Sequence, residues 1–297
     1  MGLATTADRL ALLETAFAAG IRHFDTAPYY GYGEAERVLG EFLKGRRGQV
    51  TITTKYGLQA PAVVKARWVN LLARKVLRLV PSLRKTLSRQ AQSLSKKCVF
   101  TADEARRSLD QSLIALKTDY VDLFLLHEPT LADAASEELH QFLDDEVRRG
   151  RIRAFGCGGG FAAIQNIATA QLPTSRWLQF EDNALSRNIE RIQPSGAHCL
   201  TFGSFKALPA LTQWLASVPG RVAEWERELS CDCRSPAALA ALLQASSVAR
   251  NPGGLTLFST RRADRISSAI KVASGNLFTA EQLQKFAELT RSLPSVV

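Results

Sequence analysis

The feature that most constrains this chain is a regular alternation. Short runs rich in β-branched and aromatic residues recur from one end to the other, each separated from the next by a segment with apolar residues at helical spacing. The strand-like runs are 21–25, 50–55, 120–127, 152–156, 177–181, 198–202 and 255–259. Helices are predicted over 6–19, 34–44, 102–116, 136–149, 161–170, 205–217, 236–249 and 279–292, with Gly20, Gly40 and Gly150 at helix ends. Strand and helix in strict alternation imply parallel strands joined by helical crossovers. Seven such strands with no linker are too many for two small domains, and 297 residues suit one large barrel. A doubly wound dinucleotide-binding sheet should carry G-x-G-x-x-G after its first strand. The nearest candidates, GYGEAE at 31–36 and GCGGGF at 156–161, do not match it. The expected fold is therefore an α/β barrel of the TIM (β/α)8 type, one domain over 1–297.

Composition narrows the setting. At 46% hydrophobic and 22% charged residues, the chain has the apolar material for a large core. No run approaches a membrane span, and Asp8, Arg9 and Glu14 interrupt the start where a signal peptide would be apolar, so a cytoplasmic location is expected. Cys98, Cys157, Cys199, Cys231 and Cys233 lack the spacing of a zinc site or a disulfide framework, so reduced thiols and no metal are expected. The net charge of +10 is local: residues 56–102 hold ten Lys and Arg and no acidic residue, which leaves 28 basic against 28 acidic elsewhere. Within that segment Trp68, Leu71, Leu72, Val76, Leu79, Val80, Leu83 and Leu87 form an apolar stripe at helical spacing. The segment reads as a basic amphipathic helical insertion, packed as a cap on the catalytic mouth. Peripheral membrane contact is the rival reading. Nucleic acid is not expected as a partner.

In a parallel barrel the active site lies at the C-terminal ends of the strands. Asp25, Lys55 and His127 each end a predicted strand, and Tyr30 follows Asp25 in the same loop region. Singly, each is an ordinary turn, solvated-end or packing residue. Together they meet the needs of carbonyl reduction, in which charge builds on oxygen and a proton donor must be close. A tyrosine serves near neutrality if a cation such as Lys55 favours its phenolate; Asp25 would orient the lysine, and His127 would donate a second hydrogen bond.

The stretches GIRHFDTAPYYGYGEAERVLGEFL, VTITTKYG and LIALKTDYVDLFLLHEP resemble the segments that carry the catalytic tetrad of the aldo-keto reductases. The resemblance places Asp25, Tyr30, Lys55 and His127 on the tetrad, with Tyr30 as proton donor, and continues more weakly to about residue 270. It implies NADP(H) as cofactor, and a carbonyl or alcohol as small-molecule substrate: an aldehyde, ketone or sugar hemiacetal. It also implies that Gln179 contacts the nicotinamide carboxamide, that Phe202 stacks on the ring, and that Ser259, Thr260 and Arg265, with Arg261 or Arg262, bind the 2′-phosphate.

Three departures accompany the match. Gly158-Gly159 stand where the family usually carries a Ser-Asn pair, Ser259 and Ala269 stand where some members carry a lysine and an asparagine, and the first barrel strand is expected to be missing ahead of the first helix, because the true start lies upstream, another segment fills the gap or the protein is a defective relative. The missing strand and the lost Ser-Asn contacts favour the alternative expectation, a cofactor-binding or regulatory relative that turns over poorly, while the intact tetrad favours catalysis.

Overall fold

The computed structural model describes residues 5–59, 96–275, 277–291 and 293. Its contacts gather into two compact units: residues up to Gly159 with 172–174, and residues 160–171 with those from Ser175 onward.

In the first unit, helix α1 (Thr6–Ala18) begins with a reciprocal cap. The Thr5 hydroxyl accepts from the Asp8 N–H at 3.1 Å, and the Asp8 carboxylate accepts from the Thr5 N–H at 2.7 Å. Gly20, at φ +97°, turns the chain out of that helix and into strand β1 (His23–Asp25). Helix α2 (Ala35–Phe42) follows, then β2 (Thr51–Tyr56), paired parallel to β1 with Asp25 opposite Thr53. Two short strands, β3 (Leu58–Gln59) and β4 (Lys96–Lys97), pair antiparallel. Helix α3 (Ala102–Leu116) precedes β5 (Val121–His127). The short α4 (Leu131–Ala134) and α5 (Glu137–Arg148) then lead to β6 (Ile152–Gly158). β5 lies parallel to both β2 and β6, so Lys55 stands opposite Leu125 and His127 opposite Gly158. All seven residues of β5 are buried, as befits a strand covered on both faces.

The second unit opens with α6 (Phe161–Ala170) and holds three parallel strands: β7 (Trp177–Glu181), β8 (His198–Phe202) and β9 (Leu255–Leu257). Between β7 and β8 lies the short α7 (Ile189–Ile192). Helices α8 (Leu208–Ala216), α9 (Arg221–Leu229) and α10 (Pro236–Arg250) separate β8 from β9, and α11 (Ala263–Ala273) and α12 (Ala280–Arg291) follow. Leu211, Leu215, Trp225, Leu229, Leu242, Leu243 and Phe286 from these helices form one apolar cluster. Beside it Asn251 donates to the carbonyls of Cys199 and Leu255, both at 3.1 Å, which ties β8 to β9.

All seven expected strands are present. Gly40 corrects the sequence reading: it lies inside α2 rather than at its end, because that helix passes so close to the end of α3 that a Cβ there would sit 2.8 Å from the Leu116 carbonyl carbon. Helix α9 was not anticipated; Val222, Trp225 and Leu229 are its only apolar anchors. The expected helical cap over 56–102 falls mostly on residues 60–95, outside the described residues. At its described ends the chain is extended: Gln59 pairs with Lys96, and the Cys98 N–H bonds the Gly57 carbonyl at 2.9 Å. The insertion thus departs and returns directly after β2.

Candidate active site

Parallel pairing aligns the C-terminal ends of β1, β2 and β5, which is why residues as far apart in sequence as Tyr30 and His127 meet. The Lys55 side chain is fully buried, and its ammonium is saturated by acceptors. It donates to both carboxylate oxygens of Asp25 at 2.8 and 2.7 Å, to the Thr26 carbonyl at 2.9 Å and to the Tyr30 hydroxyl at 3.3 Å. Tyr30 opens the tight turn Tyr30–Gly33 after β1, so its ring lies beside the strand ends. Its centroid is 6.3 Å from the His127 ring in an edge-on arrangement, and the Lys55 nitrogen is 4.8 Å from it. The structure therefore brings Asp25, Tyr30, Lys55 and His127 together.

Burial dominates the acid–base properties of this cluster. Loss of water lowers the Lys55 pKa, opposed by the Asp25 charge that the ammonium contacts. Burial and the Lys55 charge push His127 down to about 3, so its imidazole is neutral over the ordinary pH range. No hydrogen bond from that ring is present among the described residues. Tyr30 departs from expectation. Burial, then the Asp25 charge, raises its pKa despite the contact with Lys55, so the resting tyrosine holds its proton firmly. Desolvation of a phenolate at this depth outweighs one neighbouring cation that is already paired.

Three residues that were not singled out also belong to this neighbourhood. The Tyr29 ring lies 4.9 Å from that of Tyr30 and 5.4 Å from that of His127. Glu36, on the buried side of α2, accepts from the Thr54 hydroxyl at 2.6 Å, one residue before Lys55. Glu128 follows His127 with φ +57°. Tyr29 was visible only as part of an aromatic run. The positions of Glu36 and Glu128 depend on tertiary packing and carry no sequence signal of their own.

The six positions expected to hold a cofactor all lie in the second unit. Gln179 is buried in the middle of β7. Phe202 ends β8, with the Lys206 ammonium 6.0 Å from its ring. Ser259, Arg261 and Arg265 are exposed in the stretch that leads from β9 into α11. The Thr260 hydroxyl accepts from the Arg262 N–H at 3.1 Å and so shapes that turn. Asp264 binds the Arg262 guanidinium through two hydrogen bonds, of 3.0 and 2.5 Å. Among the described residues Arg261 and Arg265 make no ion pair. Two guanidinium groups, together with the first N–H groups of a helix that lacks a side-chain cap, form a donor set suited to a phosphate. No cluster of three or more His, Cys, Asp or Glu side chains among the described residues is placed to hold a metal ion. No described helix is long and apolar enough to cross a membrane.

The sequence matches the model of the aldo/keto reductase family over residues 4–196. Pyridoxal 4-dehydrogenase of Microbacterium luteolum is 31% identical over 166 residues, which cover 55% of this chain and 43% of that protein. The chain spans about half the length of the curated relatives it matches. Aldo-keto reductase AKR11C1 of Bacillus halodurans, in its holo form, superposes with a TM-score of 0.69 at 18% identity, over 96% of this chain and 88% of that one. An aldo-keto reductase of Klebsiella pneumoniae in complex with NADPH gives a TM-score of 0.61 at 20% identity, over 96% and 85%. At these identities the likeness shows the fold, the TIM-type α/β barrel expected from the strand–helix alternation.

Proposed function

Because this chain belongs to the aldo/keto reductase family of oxidoreductases, we propose that it interconverts a carbonyl and an alcohol with NADP(H), using Tyr30 as the proton donor. The observation that carries this reading is the Lys55 ammonium, stripped of water, clamped by Asp25 and in contact with the Tyr30 hydroxyl.

Each residue has a role in the reduction that follows from its surroundings. When bound, the nicotinamide cofactor supplies the hydride. As negative charge builds on the carbonyl oxygen, Tyr30 gives it a proton, and the phenolate left behind is stabilised by Lys55 at 3.3 Å. A tyrosine made less acidic by burial is still a competent donor here, because an alkoxide is more basic than a phenolate. Asp25 keeps the desolvated lysine charged and aimed. The neutral His127 donates one ring N–H to the same oxygen and fixes its position. Gln179, Phe202, Ser259, Thr260, Arg261 and Arg265 would hold the cofactor, with Arg261 and Arg265 favouring the 2′-phosphate of NADPH. Arg262 is committed to Asp264 and contributes little to that preference.

Fluorescence titration of the purified chain with NADPH and NADH, followed by NADPH oxidation on a panel of aldehydes, tests the reading. Saturable, NADPH-selective binding with turnover supports it. Binding without turnover favours the weakly catalytic alternative, which the bare Gly158-Gly159 pair makes specific. Neither binding nor turnover refutes both.

A further inference from the structure

Glu128 lies directly after His127 at the end of β5, and its side chain is exposed, yet its backbone is unusually constrained. At φ +57° it adopts a left-handed conformation that is uncommon for a residue with a Cβ, and its N–H is bonded to the Gly158 carbonyl at 2.7 Å. That turn carries the carboxylate back across the end of β6. A methyl group on Gly159 would meet Glu128 Oε2 at 2.8 Å, Cδ at 3.1 Å and Cα at 3.2 Å. The carboxylate thus occupies the space that any side chain at 159 would need. An ordinary solvated glutamate requires neither the left-handed backbone nor the glycine opposite. The placement is also electrostatically close to the reacting group: after burial, which acts first, the Glu128 charge adds to the rise in the pKa values of Tyr29 and Tyr30.

We propose that Glu128 is a hydrogen-bond acceptor built into the ligand site beside Tyr30 and His127, where its carboxylate receives a neutral donor group of the ligand, an amide NH2 or a hydroxyl. The inference rests on the reductase reading for what the ligand is. Under that reading two molecules can bring such a donor: the cofactor, through its carboxamide, or a carbonyl substrate that carries hydroxyl groups.

Two measurements on the full chain separate these sources. The cofactor arm compares the Kd of NADPH with that of its reduced 3-acetylpyridine analogue, in which a methyl replaces the amide NH2. The substrate arm compares kcat/KM for glyceraldehyde with that for propionaldehyde, which has the same carbon chain without hydroxyls. The wild type should show a preference for the donor-bearing ligand in one arm, and Glu128→Ala should erase about tenfold or more of it. Gly159→Ala should produce the same loss by displacing the carboxylate, and Glu128→Gln, which keeps an acceptor oxygen, a smaller one. If the alanine variant melts early, the glutamine and Gly159 variants carry the comparison. A wild type that binds NADPH and reduces propionaldehyde, but shows no preference in either arm, overturns the proposal and leaves the reductase reading standing. So do variants that retain both preferences within about twofold. A wild type that neither binds NADPH nor reduces any aldehyde overturns the reductase reading and this proposal with it.

Discussion

The neighbourhood of Lys55 and the turn from Ser259 to Arg265 are both proposed to offer positive charge to a ligand, and they are built in opposite ways. Lys55 has no solvent contact and a full set of acceptors within 3.3 Å. Arg261 and Arg265 are exposed and, among the described residues, make no ion pair. The contrast follows from what each is proposed to do. A charge that must stabilise a transient anion on one oxygen acts best where water is excluded and its position is already set. A charge that captures a phosphate gains from staying hydrated and mobile until the phosphate arrives, because burying an unpaired guanidinium would cost more than binding could return. Pairing also sorts the arginines within the turn: Arg262, held by Asp264, is spent on local structure.

The comparison can be broken most sharply at Tyr30. Replacing it with phenylalanine should lower carbonyl turnover about 10² to 10⁴-fold while the Kd for NADPH stays within about twofold, since only the proton donor is lost. Steady-state kinetics beside a binding titration measures both, and unchanged turnover would end the assignment.

Lys55→Met tests whether the preorganised cluster is a structural commitment as well as a chemical one. It removes the ammonium from the Asp25 carboxylate, and loss of one partner of a buried pair typically costs roughly 3–5 kcal/mol. Urea unfolding should show a fall of that order, and Lys55→Met with Asp25→Asn should recover part of it. Equal stability of wild type and single variant would mean that the pair is far wetter than its contacts indicate.

His127 sharpens the comparison through pH. Its folded pKa of about 3 lies below the ordinary imidazole value near 6.5, so between those limits the unfolded chain binds a proton that the native state refuses. Stability attributable to this residue is fully present above pH 6.5 and falls as pH drops toward 3, with a limiting slope of about 1.4 kcal/mol per pH unit. His127→Gln should flatten that limb in denaturant titrations between pH 4 and 7; an identical slope would place the imidazole in contact with water.

The smallest effect belongs to the exposed turn. Arg265→Ala should reduce the preference for NADPH over NADH by about tenfold, with Arg261→Ala somewhat weaker and Arg262→Ala weaker still. Stability should hardly change in any of the three, because no described ion pair involves Arg261 or Arg265 and the Arg262–Asp264 pair is exposed and so contributes little. A large loss of stability in Arg265→Ala would show that this region is built like the Lys55 cluster after all.

Periodicity and local composition determined much of this protein before any fold was known. Leu123–Leu126 is a continuous apolar run of the kind carried by a strand covered on both faces. The helix expected over 6–19 from its apolar spacing forms as α1, and the structure adds the Thr5–Asp8 cap at its start. Asp25, Lys55 and His127 ended up as neighbours because each stands at or next to the end of a strand, and parallel pairing aligns those ends without any further information. What only the tertiary structure decided are quantities set by distance across the fold. Gly40 reads as a helix stop until α3 passes against it, and helix packing at that range is invisible to a local pattern. The acidity of Tyr30 shifts in the direction opposite to the one its lysine neighbour suggested, because desolvation depends on everything that surrounds a group while a motif names only one contact. Glu128 is one more acidic residue in the chain until a left-handed turn folds its carboxylate over Gly159, and whether a backbone adopts that turn depends on the strand beside it.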